Sequence, residues 1–197
     1  MATLIGLTGG IGSGKTTIAN LLRTHGYQVY DTDSAAKRIV LTPLVRSQIE
    51  KLLGKDVYEA DQYCTQKVAE RVFTNPDLLK QLNAIVHPAV QNDLLLYSAN
   101  ENNGWIFVES AILYESGLNQ LCNYVVAVIA PKKLRIERTM TRDGKTREQV
   151  MARINTQMSN CSLRKKANYI VENNEKQSLT QLTDKLIKHL HKAIGSL

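Results

Sequence analysis

Gly9-Gly10-Ile11-Gly12-Ser13-Gly14-Lys15-Thr16 is the stretch on which the reading of this chain turns. Ahead of it, Thr3–Leu7 is a short apolar run that reads as a buried strand. Behind it, the spacing of apolar residues predicts a helix from about Lys15 to Thr24, closed by Gly26. Glycines let the backbone curl so that successive N–H groups point inward, and the start of the helix adds its positive end. Such a turn between a strand and a helix is a cradle for phosphate oxygens. The pattern GxxxxGK[ST] adds Lys15, which reaches β- and γ-phosphates as a point charge, and Thr16, whose hydroxyl can ligate magnesium. The bland alternative is a glycine-rich turn with an exposed lysine, and the strand-turn-helix setting favours the nucleotide. The loop alone does not separate a kinase from a GTPase or a motor ATPase. The absence of NKxD and of a DxxG switch weighs against a GTPase.

Further apolar runs at Tyr27–Tyr30, Trp105–Val108, Tyr124–Ile129 and Tyr169–Val171 complete five expected strands. Most are apolar at consecutive positions, as strands buried on both faces of a parallel sheet are. Residues 34–100 read as a mostly helical excursion, with a helix starting at Asn75-Pro76-Asp77. Residues 132–157 read as helical with a break near Asp143-Gly144, and Ser178 with Gln181 forms a capping box for a last helix. Its stripe of Leu179, Leu182, Leu186 and Leu190 should pack on the sheet. Alternating strands and helices give an α/β layered fold with ligands at the carboxyl ends of the strands.

The chain has 197 residues and a net charge of +7. Residues 1–130 sum to −2 and residues 131–197 to +9, with eleven Lys/Arg against three acids in 131–170. Something anionic is expected to meet that segment. The longest apolar run, Tyr124 to Ala130, has seven residues, short of the ~20 that span a bilayer. No basic stretch precedes the first apolar residues, so no secretory signal and a cytoplasmic location are expected. Cys64, Cys122 and Cys161 are far apart and without a CxxC pair, and are expected to be buried, reduced thiols.

Asp31-Thr32-Asp33 follows the second expected strand, where a carboxylate can accept a proton from a substrate hydroxyl. Asp33 or Ser34 could instead cap the next helix. Glu109 ends the third expected strand, where many phosphate-loop proteins place a magnesium-linked acid; a cap or a surface salt bridge is the alternative. Arg135, Arg138 and Arg142 share a helix face, as a solvated stripe or as a lid over phosphates, and Arg153 and Gln157 lie further along. His87-Pro88, taken alone, reads as a structural turn. His189 and His191 cannot share a metal.

Together the chain resembles the dephospho-coenzyme A kinase family over nearly its whole length. The resemblance rests on LTGGIGSGKT at 7–16, YDTD at 30–33, LNAIVHPAV at 82–90, ILYESGL at 112–118, ERTMTRDGKTREQV at 137–150, RINTQM at 153–158 and NYIVENN at 168–174. It implies a three-layer phosphate-loop kinase fold with a five-stranded parallel sheet, a helical substrate-binding insertion and a helical lid. All of 1–197 would then be one kinase domain: a nucleotide-binding core at about 1–33, 104–131 and 160–197, the substrate part at about 34–103 and the lid at about 132–159. The implied reaction moves the γ-phosphoryl of ATP, with Mg2+, to the ribose 3′-hydroxyl of dephospho-CoA, the final step of coenzyme A synthesis. Gly10, Ile11, Gly12, Ser13, Gly14, Lys15, Thr16 and Thr17 would bind ATP, with Asn173 and Asn174 near the adenine. Asp33 would be the base, and Lys15, Arg138 and Arg142 would act on the transferring group. Thr8, Asp33, His87, Leu113 and Glu115 would line the dephospho-CoA site, and Thr16 would hold the metal, with Glu109 as the open candidate for a second ligand. No nucleic acid and no membrane are expected as partners, and the chain would be a monomer or a weak homo-oligomer. Ala111 and Ile112 depart from the family's PLLxE pattern, and Asn168 from its Ala-Asp. The rival readings are another small-metabolite or nucleotide kinase and, from a different class, a nucleic-acid-binding ATPase using 131–170.

Overall fold

The computed structural model describes residues 2–73, 75–100 and 104–195. In chain order the elements are β1 (Thr3–Thr8), α1 (Lys15–Thr24), β2 (Gln28–Asp31), α2 (Thr32–Ile39), α3 (Pro43–Leu53), β3 (Tyr58–Glu59), β4 (Gln62–Tyr63), α4 (Thr65–Phe73) and α5 (Pro76–Ala99). There follow β5 (Trp105–Ser110), β6 (Tyr124–Ile129), α6 (Lys132–Asp143), α7 (Arg147–Asn155), α8 (Asn160–Lys166), β7 (Tyr169–Glu172) and α9 (Leu179–Ile194). The chain falls into two compact units: one runs to Tyr30 and resumes at Ser98, the other is Asp31–Tyr97.

The first unit holds the five-stranded parallel sheet, in the order β2-β5-β1-β6-β7. The central strand β1 lies parallel to β5, with Leu7 opposite Glu109 and Thr8 opposite Ser110, and parallel to β6 on its other side. The strand residues are apolar on both faces because helices cover both. On one face Ile5, Leu7, Phe107, Val126 and Val128 pack with Ile18 and Leu22 of α1 and Leu186 and Leu190 of α9. On the other, Ala127 and Ile129 meet Leu163 of α8. Burying a leucine of this kind contributes roughly 1.5–3 kcal/mol. The expected capping box is in place: Gln181 N–H donates to Ser178 Oγ and Ser178 N–H to Gln181 Oε1, both at 3.2 Å. Leu179 and Leu182 complete the stripe at the edge of the core.

The amino ends of the strands carry a band of rings. Trp105 opens β5, Tyr124 opens β6 and Tyr169 opens β7, with Tyr27 just ahead of β2. Both histidines of α9 dock there. His191 lies 4.6 Å from the Trp105 ring and its Nε2 is 3.2 Å from the Tyr27 hydroxyl. His189 stacks on Tyr169 at 4.0 Å, its Nε2 3.0 Å from the Tyr124 hydroxyl.

The second unit is mostly helical, with one element the sequence did not announce. β3 and β4 form a two-residue hairpin, Tyr58 opposite Tyr63. Its turn residues Ala60 and Asp61 both take positive φ, 44° and 64°. Asn-Gly is the usual signal for such a turn, and alanine hides it. A second difference concerns His87-Pro88. It is no turn but lies inside the 24-residue α5. Pro88 removes one backbone bond, to the Ala84 carbonyl, and the long helix persists past it. A third concerns the cysteines: Cys161 is exposed on the short helix α8, while Cys64 and Cys122 are half-buried. All three are free, and burial pushes the Cys122 thiol up to about 12, which leaves it inert.

Candidate active site

The segment Gly9–Gly14 runs from the carboxyl end of β1 to the first turn of α1. Gly14 is the N-cap residue of α1, with φ 95° and no side chain capping the helix, so the first N–H groups of α1 are left to a ligand. Gly12 takes φ 75°, and a Cβ there would lie 2.7 Å from Thr139 Oγ1. Both positions thus need glycine for their conformation, and Gly12 also for its close approach to α6.

Lys15, the first residue of α1, is 9% exposed. Its Nζ donates to Glu109 Oε1 at 2.7 Å, and the Thr16 hydroxyl donates to the same oxygen at 2.7 Å. Glu109 is 4% exposed. It lies within β5, which continues to Ser110 rather than stopping at Val108, and its carboxylate is therefore held by strand register. Lysine, hydroxyl and carboxylate are brought together at the helix end of the loop. Two oxygen donors there, one anionic, suit a hard divalent cation that takes its other ligands from water and phosphates.

Behind the loop stands a row of donors. Three successive carbonyls are engaged: Ile11 by Arg135 Nε (2.9 Å), Gly12 by Arg138 Nη1 (3.4 Å) and Ser13 by Asn173 Nδ2 (2.8 Å). Arg138 also donates to Asn173 Oδ1 at 3.4 Å and Glu175 Oε1 at 2.9 Å. Asn173 is buried and both side-chain atoms are in use, whereas Asn174 Oδ1 accepts from the Lys176 N–H, at 3.2 Å. Arg142 pairs with its neighbour Asp143, donating from Nε at 2.7 Å and Nη2 at 3.0 Å. Gln157 Oε1 accepts the Ile11 N–H at 2.8 Å.

In the second unit Asp31, the last residue of β2, is the N-cap of α2: its Oδ1 accepts the Asp33 N–H at 3.0 Å and its Oδ2 the Ser34 hydroxyl at 2.6 Å. The sequence offered Asp33 or Ser34 for that cap. The structure gives it to Asp31 and leaves the exposed Asp33 carboxylate out of it.

These features define a phosphate loop, and one comparison decides which kind of protein carries it. The model of the dephospho-CoA kinase family matches residues 3–178. The chain belongs to that family. The dephospho-CoA kinase of Porphyromonas gingivalis is 42% identical over 162 residues, 82% of this chain and 80% of that one. The dephospho-CoA kinase of Bacteroides fragilis strain YCH46 is 36% identical over 199 residues, 100% of this chain and 97% of that one. A crystal structure from Thermus thermophilus superposes with a TM-score of 0.85 at 34% identity, covering 98% of both chains. As a member of the dephospho-CoA kinase family the chain is a kinase with ATP as its phosphoryl donor, in coenzyme A synthesis. No described helix is long and apolar enough to cross a membrane.

The remaining residues singled out for dephospho-CoA take these places. Thr8 is buried at the end of β1. Leu113 is fully buried, filling the space beside Gly6 that a Cβ would otherwise take. Glu115 is exposed and accepts the Met158 N–H at 2.8 Å, bracing the chain next to Gln157. Thr17 is exposed on α1. Of the two departures from the family pattern, Asn168 ties β7 to β6 by accepting the Val125 N–H at 2.8 Å, and Ile112 is exposed. His87 is half-buried on α5, and burial lowers its pKa below the usual imidazole range, so the ring is neutral at neutral pH. The unfolded chain takes up this proton at higher pH than the folded one. Between the two pKa values the unfolded state binds more protons, and stability is lost as pH falls below about 6.5. The melting temperature of the His87→Gln variant should fall less between about pH 7 and about pH 5 than that of the parent. Parallel curves would place the acid sensitivity elsewhere.

Proposed function

We propose that this chain phosphorylates the ribose 3′-hydroxyl of dephospho-CoA, giving coenzyme A and ADP. The observation that carries the reading is the joining of Lys15, Thr16 and Glu109 at the mouth of a glycine loop in a chain of this family. The N–H groups from Gly12 to Thr17 receive the phosphates, and Lys15 turns from Glu109 to the β- and γ-oxygens. Thr16 and Glu109 would hold Mg2+, which would offset the charge of the phosphates. Asn174, whose amide nitrogen has no hydrogen-bond partner among the described residues, is assigned to the adenine; Asn173 supports the loop beneath it.

Asp33 accepts the proton as the 3′-oxygen forms its bond to the γ-phosphorus and the bond to the β–γ bridging oxygen breaks, releasing ADP. Arg138 and Arg142 of α6 are assigned to the equatorial oxygens of the group in flight. His87, as a neutral donor or acceptor, Thr8 and Glu115 are assigned to dephospho-CoA, with Leu113 shaping the wall from beneath. Little covalent work falls to the protein; placement and charge do most of it.

A coupled assay of ADP release with dephospho-CoA as sole acceptor tests the reading. Turnover with nucleoside monophosphates and none with dephospho-CoA would sink it. Arg142→Ala should lower kcat by ~10²–10³ while dephospho-CoA affinity stays within about twofold, because the guanidinium acts on charge that develops in the transition state. A loss confined to dephospho-CoA affinity would remove Arg142 from that role.

A further inference from the structure

Ile11 is held on both sides by residues far away in the chain. Its N–H donates to Gln157 Oε1 at 2.8 Å, and its carbonyl accepts from Arg135 Nε at 2.9 Å. Both arms are braced. Arg135 Nη1 donates to Asn160 Oδ1 at 3.4 Å, and Asn160 Nδ2 donates to the Ala130 carbonyl at 2.9 Å, just past β6. Next to Gln157, Met158 is fixed by Glu115.

Arg135 is 4% exposed, and among the described residues no carboxylate pairs with it. Its Nη2 is buried and has no hydrogen-bond partner among the described residues. A buried cation without a counter-charge is costly, so such an arrangement persists where an anion completes it. The loop itself has been shaped around this guanidinium. Gly10 is not left-handed, and the GxxxxGK pattern leaves its position open. Yet a Cβ on Gly10 would overlap Arg135 Nη2 and lie 2.6 Å from Cζ. Glycine is required there to seat the arginine, not to bend the chain.

The Ile11 carbonyl and the Gly12 N–H belong to one peptide group. A cation on the carbonyl polarises the N–H on its other side, which such a loop directs to phosphate. The helix end of the loop takes the inner phosphates, so the rim at Ile11 and Gly12 borders the terminal one. We propose that Arg135 and Gln157 are positioning residues that clamp Ile11 and preset this rim for the γ-phosphate, giving the loop its preference for a triphosphate over a diphosphate. The proposal rests on the kinase reading above and extends it to residues that touch no substrate.

Calorimetric titration of the full chain with ATP and with ADP, magnesium present, tests it. Gln157→Leu and Arg135→Met should each weaken ATP about tenfold, the loss of one neutral hydrogen bond in the first and of one charge-assisted hydrogen bond in the second, and leave ADP affinity within about twofold. Arg135→Lys keeps a cation and a donor and should recover most of the ATP affinity. Gln157 is half-buried in the bend that follows α7, so its variant reports even if Arg135→Met fails to fold. Equal weakening of ATP and ADP, or no change in either, would overturn the clamp. Failure of the kinase reading shows separately, as a parent chain that releases no ADP when dephospho-CoA is added.

Discussion

Asp33→Asn is expected to lower kcat by ~10²–10⁴ with dephospho-CoA as acceptor, the range a general base contributes, while the KM for ATP changes less than about threefold. The asymmetry follows from what a base does. It interacts with a proton that leaves only as the new O–P bond forms, so its loss is felt in the transition state and little in the ground state. Two structural facts make the experiment clean. Asp33 is exposed, and its carboxylate does not hold the end of α2, because Asp31 caps that helix. The amide variant should therefore melt with the parent. Full turnover in Asp33→Asn would hand the proton to another group. A parallel rise in KM for both substrates without a fall in kcat would make Asp33 a binding residue only.

Lys15→Met should abolish turnover to a comparable extent, at least ~10²–10³, since a charged donor to the transferring group is lost. It should also destabilise the empty protein. Glu109 is buried against the Lys15 ammonium at 2.7 Å, and removing one partner of a buried pair leaves the other uncompensated, a cost of about 3–5 kcal/mol. The Thr16 hydroxyl on the same oxygen should soften that cost. The double variant Lys15→Met with Glu109→Gln separates the two effects. Thermal stability should return, because no unpaired charge remains, and turnover should not. If stability failed to recover, the ion pair would not be what Lys15 contributes to the fold; if turnover recovered, the lysine would not act on the phosphates.

The phosphate loop was legible because its chemistry is local. Glycines, lysine and threonine act within eight consecutive residues, and the strand and helix around them follow from periodicity. The start of α9 was legible for the same reason, since Ser178 and Gln181 lie within one turn. What stayed hidden depends on distant residues or on local signals that packing overrides. Arg135 and Gln157 stand 124 and 146 positions from Ile11, and nothing in their local sequence says which backbone groups they will meet. Their neighbour Arg138 read as a lid arginine from its helix face, and nothing in that face tells that its guanidinium meets the Gly12 carbonyl and Asn173. Pro88 is a breaker by local rules and sits inside a long helix all the same. Ala60 and Asp61 make a hairpin turn without the residues that announce one. Glu109 was placed correctly along the chain, but its bond to Lys15 depends on the pairing of β1 with β5, which no single stretch encodes.

The rings and imidazoles gathered at Trp105, Tyr124 and Tyr169 occupy the rim of the sheet opposite the one from which the glycine loop springs. Robustness and chemistry are thereby assigned to different ends of the same strands. Drift at His189 or His191 changes how firmly the last helix is moored and leaves the phosphates' surroundings as they were. A hardier variant of this enzyme can thus be sought by laboratory evolution on a border the reaction never visits.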